Sequence, residues 1–265
     1  MSEAWSITIC ESGENHTGME IIGKKAENGF TCEELQNAKD IFDSHGVKTE
    51  LYDLKELGLG SEGEENEFQE LYDNASEASV LVIKGIFSGN RGKQMKAEMK
   101  AINCDKEYFD VRRGKVLNKN ARHNVCFAYK DQAADIENKK GTIININSLK
   151  YLKAVIKGLP NYFGTKAKHL IAELNHYYDV GKCGIGFHGD TERRIVICVR
   201  LGKSIPLHYH WYQKSNRVGN RIIIEDLKEG DMYIMSDKAV GYDWKRTKDG
   251  LLTLRHAAGC KKFTK

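Results

Sequence analysis

The chain is poor in the residues that punctuate or staple other folds. Only two prolines, Pro160 and Pro206, occur in 265 residues, so no Pro-rich linker marks a domain boundary. The seven cysteines are odd in number and irregularly spaced, which excludes a disulfide framework and points to a reducing compartment. No CxxC pair is present, and this removes the usual structural zinc site. No apolar run approaches membrane-spanning length. Met1 to Cys10 lack the basic and long apolar regions of a signal peptide. The expectation is an intracellular protein, cytoplasmic or nuclear, with no membrane partner. There is no internal repeat. The segment Glu11 to Gly18 contains glycine but lacks the Lys-Ser/Thr ending of a phosphate-binding loop, and it reads as a turn.

What is present suits one large or two modest domains: 40% hydrophobic residues and a formal net charge of +4, compatible with a polyanionic partner without requiring one. The first hundred residues alternate strand-like and helix-like patterns. Ser6 to Cys10 reads as a strand. Thr31, followed three residues later by Glu34, forms a capping box for a helix through Leu35, Ala38 and Ile41 that Gly46 ends. Val47 to Tyr52 reads as the next strand, Gly58 to Glu67 as an exposed loop, Phe68 to Ala75 as a helix and Ala78 to Ile83 as a buried strand. This βαβαβ order predicts a small α/β domain over residues 1–108. Farther on, a helix-like segment ends over Ala154 to Leu159, and Ala167 to Leu174 reads as another. From Gly184 short strands take over: Ile195 to Leu201, Ile205 to Tyr212, Arg221 to Glu225, Asp231 to Met235 and Leu251 to Arg255. Many short strands at regular spacing predict a sandwich or barrel. The fold class expected is α+β, with a C-terminal jelly roll, a double-stranded β-helix, over residues 109–265.

The chemistry concentrates in Gly184-Ile185-Gly186-Phe187-His188-Gly189-Asp190. A His and an Asp two residues apart can reach one metal ion. Two histidines and one carboxylate with open positions form the usual site of non-haem Fe(II) oxygenases. Flanking elements occur in a fixed order. Asn175-His176-Tyr177 precedes the HxD, Gly230-Asp231-Met232-Tyr233 follows it, and Thr253-Leu254-Arg255 lies near the C-terminus. Together they resemble the AlkB-like branch of the Fe(II)/2-oxoglutarate-dependent dioxygenases, over roughly residues 110–259.

That resemblance implies Fe(II) as cofactor and 2-oxoglutarate as co-substrate. It makes His188 and Asp190 iron ligands and catalytic residues. Asn175 and Tyr177 would hydrogen-bond the co-substrate, and Arg255 would pair with its carboxylate. The family register puts Asp243 at the third ligand position. His256 would instead restore two histidines and one carboxylate, although strand alternation sends residues 255 and 256 to opposite faces. The place of the family's first arginine on the last strand falls near Asp249-Gly250, leaving Arg255, Arg246 or a nearby lysine to serve. Arg113 to Arg122 resembles the family's nucleotide-recognition lid.

Other residues have plainer readings. In His208-Tyr209-His210-Trp211-Tyr212, alternation puts His208, His210 and Tyr212 on one face of an ordinary strand. Cys183, Cys198 and Cys260 read as small buried apolar residues. The basic run Arg112, Arg113, Lys115, Lys119, Arg122, with Phe127 and Tyr129 after it, reads as a DNA or RNA contact. Three functions follow as expectations. One is a dioxygenase that hydroxylates or demethylates a nucleic-acid base. Another is the same centre acting on a protein side chain or small molecule. The third is a jelly-roll binding module relieved of catalysis.

Overall fold

The computed structural model describes residues 2–61, 67–246 and 250–265. In chain order its strands are β1 (Ala4–Cys10), β2 (Ser12–Glu14), β3 (Ile21–Gly23), β4 (Thr49–Asp53), β5 (Ser79–Ile83), β6 (Glu107–Asp110), β7 (Lys115–Asn118) and β8 (His123–Ala128). They continue with β9 (Ile143–Asn145), β10 (Ile171–Tyr177), β11 (Gly184–His188), β12 (Val196–Gly202), β13 (Leu207–Gln213), β14 (Asn216–Ile224), β15 (Met232–Met235) and β16 (Leu252–Gly259). The helices are α1 (Cys32–Ser44), α2 (Leu54–Leu59), α3 (Gln69–Asn74), α4 (Gly89–Lys100), α5 (Lys150–Gly158), α6 (Pro160–Phe163), α7 (Asp237–Val240) and α8 (Lys261–Thr264).

The protein is of the α+β class. An eight-stranded sheet runs β4-β5-β15-β12-β1-β10-β8-β9, and a four-stranded sheet runs β11-β16-β13-β14. Every pairing in the two sheets is antiparallel except β8 with β9. Neither sheet closes into a barrel. From β10 onward the chain alternates between them: β10, β12 and β15 belong to the larger sheet, and β11, β13, β14 and β16 to the smaller.

Side-chain alternation builds the layers. On β12, Ile197, Val199 and Leu201 join the core under α1, α4, α5 and α6, where Leu35, Phe42, Met95, Leu152 and Phe163 pack. Val196 and Cys198 point the other way, toward Tyr209, Trp211, Ile222 and Leu254 of the smaller sheet. Each such large apolar side chain contributes about 1.5–3 kcal/mol by leaving water. The indole N–H of Trp211 donates to the Leu54 carbonyl at 2.8 Å, tying α2 to β13. The capping box of α1 forms as its sequence predicts. The Glu34 N–H donates to Thr31 Oγ1, and the Thr31 N–H donates to the Glu34 carboxylate.

Four expectations are corrected. β1 pairs with β10 and β12, and β4 pairs antiparallel with β5, so the first hundred residues do not form a small βαβαβ domain of their own. A boundary near residue 108 would run through the larger sheet, because β1 lies between β10 and β12, and β5 pairs with β15. Residues 171–174, read as helical, open strand β10, which lies between β1 and β8 in the larger sheet. The loop expected over Gly58 to Glu67 begins inside α2, and its residues 62–66 lie outside the described residues.

Candidate metal centre

The apolar packing between the sheets fills only one end of their interface. At the other end the inward positions are polar: Ser6 and Thr8 on β1, Glu173, Asn175 and Tyr177 on β10, and Arg200 on β12. They face His188 and His256 of the smaller sheet across a chamber of about 70 Å³. This opens into an outer chamber of about 460 Å³ that shares His188, Asp190, Arg193 and Arg122 with it.

His188 and His256 are cross-strand partners of β11 and β16. The register between these strands shifts between Ile185 and His188, and this irregularity ends β11 and turns the chain toward Asp190. Gly189 makes the turn possible. A Cβ there would stand 2.0 Å from the Gly241 carbonyl oxygen. The donor atoms of His188, Asp190 and His256 all lie within 4.8 Å of one another, and no other such group occurs among the described residues. His188 Nε2 is 3.5 Å, and His256 Nε2 4.0 Å, from Asp190 Oδ1.

The supporting contacts orient these donors. His188 Nδ1 lies 2.8 Å from the Gly186 carbonyl and 3.1 Å from the His256 carbonyl. Both groups only accept, so Nδ1 carries the proton and Nε2 presents its lone pair to the cluster. Burial, and after it the neighbouring His188, push the His256 pKa down to about 3, so its ring is neutral and able to coordinate. Burial opposes ionisation of Asp190, but the neighbouring Arg193 guanidinium outweighs it and holds the carboxyl well below the usual carboxylate range. Arg193 Nε lies 3.4 Å from Asp190 Oδ2, and its Nη2 is 2.9 Å from Glu173. The second carboxylate oxygen is thereby anchored while Oδ1 faces the imidazoles. Two imidazoles and one ionised carboxylate, open to a chamber on one side, are a donor set that fits a divalent transition metal.

The sequence candidates divide cleanly. Asn175 and Tyr177 line the inner chamber with the three clustered residues, and Asn175 Oδ1 accepts from Arg122 Nε. Asp243 does not join them. It is buried against Lys238, whose ammonium donates to Asp243 Oδ2 at 2.8 Å and to the Leu252 carbonyl at 2.6 Å. Arg255 is also elsewhere. Alternation along β16 turns it to the outer face of the smaller sheet, where its guanidinium lies 3.9 Å from the centre of the Tyr212 ring. The third clustered residue is therefore His256, and Arg255 is not positioned to pair with a ligand beside Asn175. In the basic run, Arg112, Arg113 and Lys115 are exposed at the tip of the β6–β7 hairpin. Lys119 is buried and donates to Asn15 and Asn124. Cys183 and Cys198 are fully buried, whereas Cys260 is half-buried.

Arg200 was not among the sequence candidates. It is 5% exposed and makes no ion pair among the described residues. Its Nη1 donates to Ser6 Oγ, while Nε and Nη2 have no hydrogen-bond partner. The Tyr209 hydroxyl, also buried in this region, is likewise unpartnered. An unpaired buried guanidinium is costly, and these nitrogens are suited to a carboxylate. One signal was available in the sequence: a lone charged residue in the apolar run Val196-Ile197-Cys198-Val199-Arg200-Leu201, in phase with Val196 and Cys198.

The fold and site define a class: an α+β protein with an open His-Asp-His cluster and an unpaired arginine between two facing sheets. No family model matches the chain. It is 40% identical, over its whole length and 99% of the relative's, to the uncharacterized protein R156 of Acanthamoeba polyphaga mimivirus, and it belongs to the same family as that protein.

Proposed function

We propose that this protein is an Fe(II)/2-oxoglutarate-dependent dioxygenase built on a jelly roll, with the AlkB-like order of site elements. The observation that carries the reading is the convergence of His188, Asp190 and His256 at the mouth of a chamber whose far wall holds Arg200. The strand alternation from β10 to β16 supports the jelly roll, with β1 as its eighth strand between β10 and β12.

Iron held by these three side chains would supply the activation of O₂ and the oxidation, with a 2-oxo acid as electron source. One oxygen atom would go to the decarboxylated acid and one to the substrate carbon. The protein's residues position and exclude. Arg193 fixes Asp190 so that one oxygen is free to coordinate. The two carbonyls at His188 fix its tautomer. Arg200 would grip the distal carboxylate of the acid through Nε and Nη2, with Asn175, Tyr177 and Arg122 around it. The outer chamber would take the substrate. A nucleic-acid base as that substrate is supported by the hairpin carrying Arg112, Arg113 and Lys115, whose Tyr108 ring stacks at 3.6 Å on His16 of the outer chamber wall.

The test is anaerobic Fe(II) titration with and without 2-oxoglutarate, followed by the weak metal-to-ligand charge-transfer band. Stoichiometric iron with a band that appears only on adding the keto acid is the expected result. Protein that holds no iron overturns the reading.

A further inference from the structure

The outer face of the four-stranded sheet, on the side away from the inner chamber, is built of two tiers. On the strands themselves lie His208, His210 and Tyr212, each under a tenth exposed. Over them lie cations from the neighbouring strands. Arg255 stacks at 3.9 Å on Tyr212 and 5.2 Å from Trp244. Arg217 lies 4.9 Å from the Phe187 ring, and its Nε donates to the Tyr212 hydroxyl at 3.1 Å. Arg221 Nη2 donates to His208 Nδ1 at 3.0 Å, and Lys245 lies 5.6 Å from the Trp244 ring.

Arg221, Lys245 and Arg255 form no ion pair among the described residues, unlike Arg193, Arg194 and Lys238 elsewhere in the protein, and Arg217 Nη2 donates to the main-chain oxygen of Lys265. Arg255 Nε and Trp244 Nε1 are buried without hydrogen-bond partners. A guanidinium resting on a ring keeps its second face and its edge N–H groups for something else. Four clustered cations with no acidic side chain paired to them among the described residues repel one another and so attract a polyanion. The face is also continuous with the outer chamber, because Phe187, Trp244 and Lys245 line both.

We infer that this face is a platform for single-stranded nucleic acid, with Arg217, Arg221 and Lys245 on phosphates and with Phe187, Trp244 and the Arg255 plane available to bases. Such mixed cationic and aromatic surfaces bind single strands with little sequence preference, since every base has a π-face. A duplex hides those faces, and a base must leave the stack to reach a buried centre. The choice of polymer rests on the proposed nucleic-acid substrate; the binding itself requires no metal.

The test is fluorescence anisotropy of a labelled 20-nucleotide oligothymidylate with the full chain, at several salt concentrations. Wild type is expected to bind. R217Q/R221Q should bind at least tenfold more weakly, with the salt slope reduced by about 1.4, or roughly 0.7 per lost phosphate contact. K245Q, at an exposed position apart from these strands, should lose several-fold. Both variants should titrate with Fe(II) like wild type, whereas H188A should lose iron and keep its oligonucleotide affinity. Failure here is thus distinguishable from failure of the iron reading. Wild-type affinity in both R217Q/R221Q and K245Q overturns the inference, as does equal competition by a duplex of the same length or by polyglutamate.

Discussion

Replacing Arg200 with methionine separates a ligand-binding arginine from a structural one. In the folded protein Arg200 is buried with one hydrogen bond, to Ser6, and two unpartnered nitrogens. Losing that hydrogen bond costs about 1 kcal/mol. Losing its position 5.3 Å from the Tyr233 ring costs up to about 2 kcal/mol, as for a desolvated cation–π contact. Removing an unpaired buried charge returns a few kcal/mol. R200M should therefore unfold no more than a few degrees away from wild type, in either direction, when no ligand is added. With 2-oxoglutarate the two should part. A ligand at a hundredfold its dissociation constant stabilises by about 2.7 kcal/mol, which in a chain of this size raises Tm by roughly 5–10 °C. Two charge-assisted hydrogen bonds from Arg200 to a carboxylate are worth about 1.5–3 kcal/mol each, so R200M should bind the keto acid at least a hundredfold more weakly and show no shift. The assay is thermal unfolding of the metal-loaded protein under nitrogen, with and without 2-oxoglutarate. An R200M protein that keeps the full ligand-induced shift would refute the role. One that collapses without ligand would show that Arg200 holds the fold instead.

Four further outcomes follow from the geometry. H188A, D190A and H256A should each lose stoichiometric iron, whereas D243A should keep it but lose about 3–5 kcal/mol in urea unfolding, because buried Lys238 would be left unpaired. G189A should weaken iron binding at least tenfold, read by metal titration, since its Cβ would be forced against the Gly241 carbonyl. E14Q should be no more stable than wild type at pH 4.5 and increasingly more stable as pH rises to 8, by roughly 1 kcal/mol once solvent screening is allowed for. Burial, and after it Glu192, raise the Glu14 pKa to about 7. The folded state therefore holds its proton above the ordinary carboxylate range, and wild type loses stability as pH rises through that window. Residues 109–265 expressed alone should fail to give a cooperative unfolding transition, because the cut removes β1 from between β10 and β12; a sharp transition would show that a boundary near 108 is real.

Much of the site was legible because it is written locally. The HxD spacing, the Asn-x-Tyr pair on β10 and the alternation of His208, His210 and Tyr212 each depend on a handful of neighbouring residues. The third ligand was not fixed in the same way. The family register pointed to Asp243 and the commoner ligand set to His256, with even weight, and the choice rests on the shifted pairing of β11 with β16, which local sequence does not encode. Residues 167–174 misled because Ala167, Leu170, Ile171 and Leu174 satisfy the helical period, while Leu170, Ala172 and Leu174 satisfy the strand period equally well. The N-terminal half misled for a different reason. β1, β4 and β5 were visible as strands, but their neighbours are far away in sequence: Ser6 pairs with Asn175 and Arg200. Short-range alternation suggested a local sheet, and long-range pairing took the strands into a larger one.

The interface between the sheets bears on whether the chain is an enzyme at all. Its apolar end, around Tyr209, Trp211, Ile222 and Leu254, accounts for sheet-on-sheet packing by ordinary burial. Its other end buries Glu173, Arg193 and Arg200 beside the two imidazoles and Asp190. Replacing buried ionic groups with well-packed apolar ones is often neutral or stabilising, so this end does not owe its composition to the needs of folding. The polar residues there divide into two kinds. Arg193 and Glu173 neutralise one another and anchor Asp190. Arg200 Nε and Nη2 have no hydrogen-bond partner. A scaffold that only held two sheets together would satisfy or omit those groups. Arg200 lines the chamber with His188, Asp190 and His256, the placement that the proposed site for an anionic small molecule beside a metal would require.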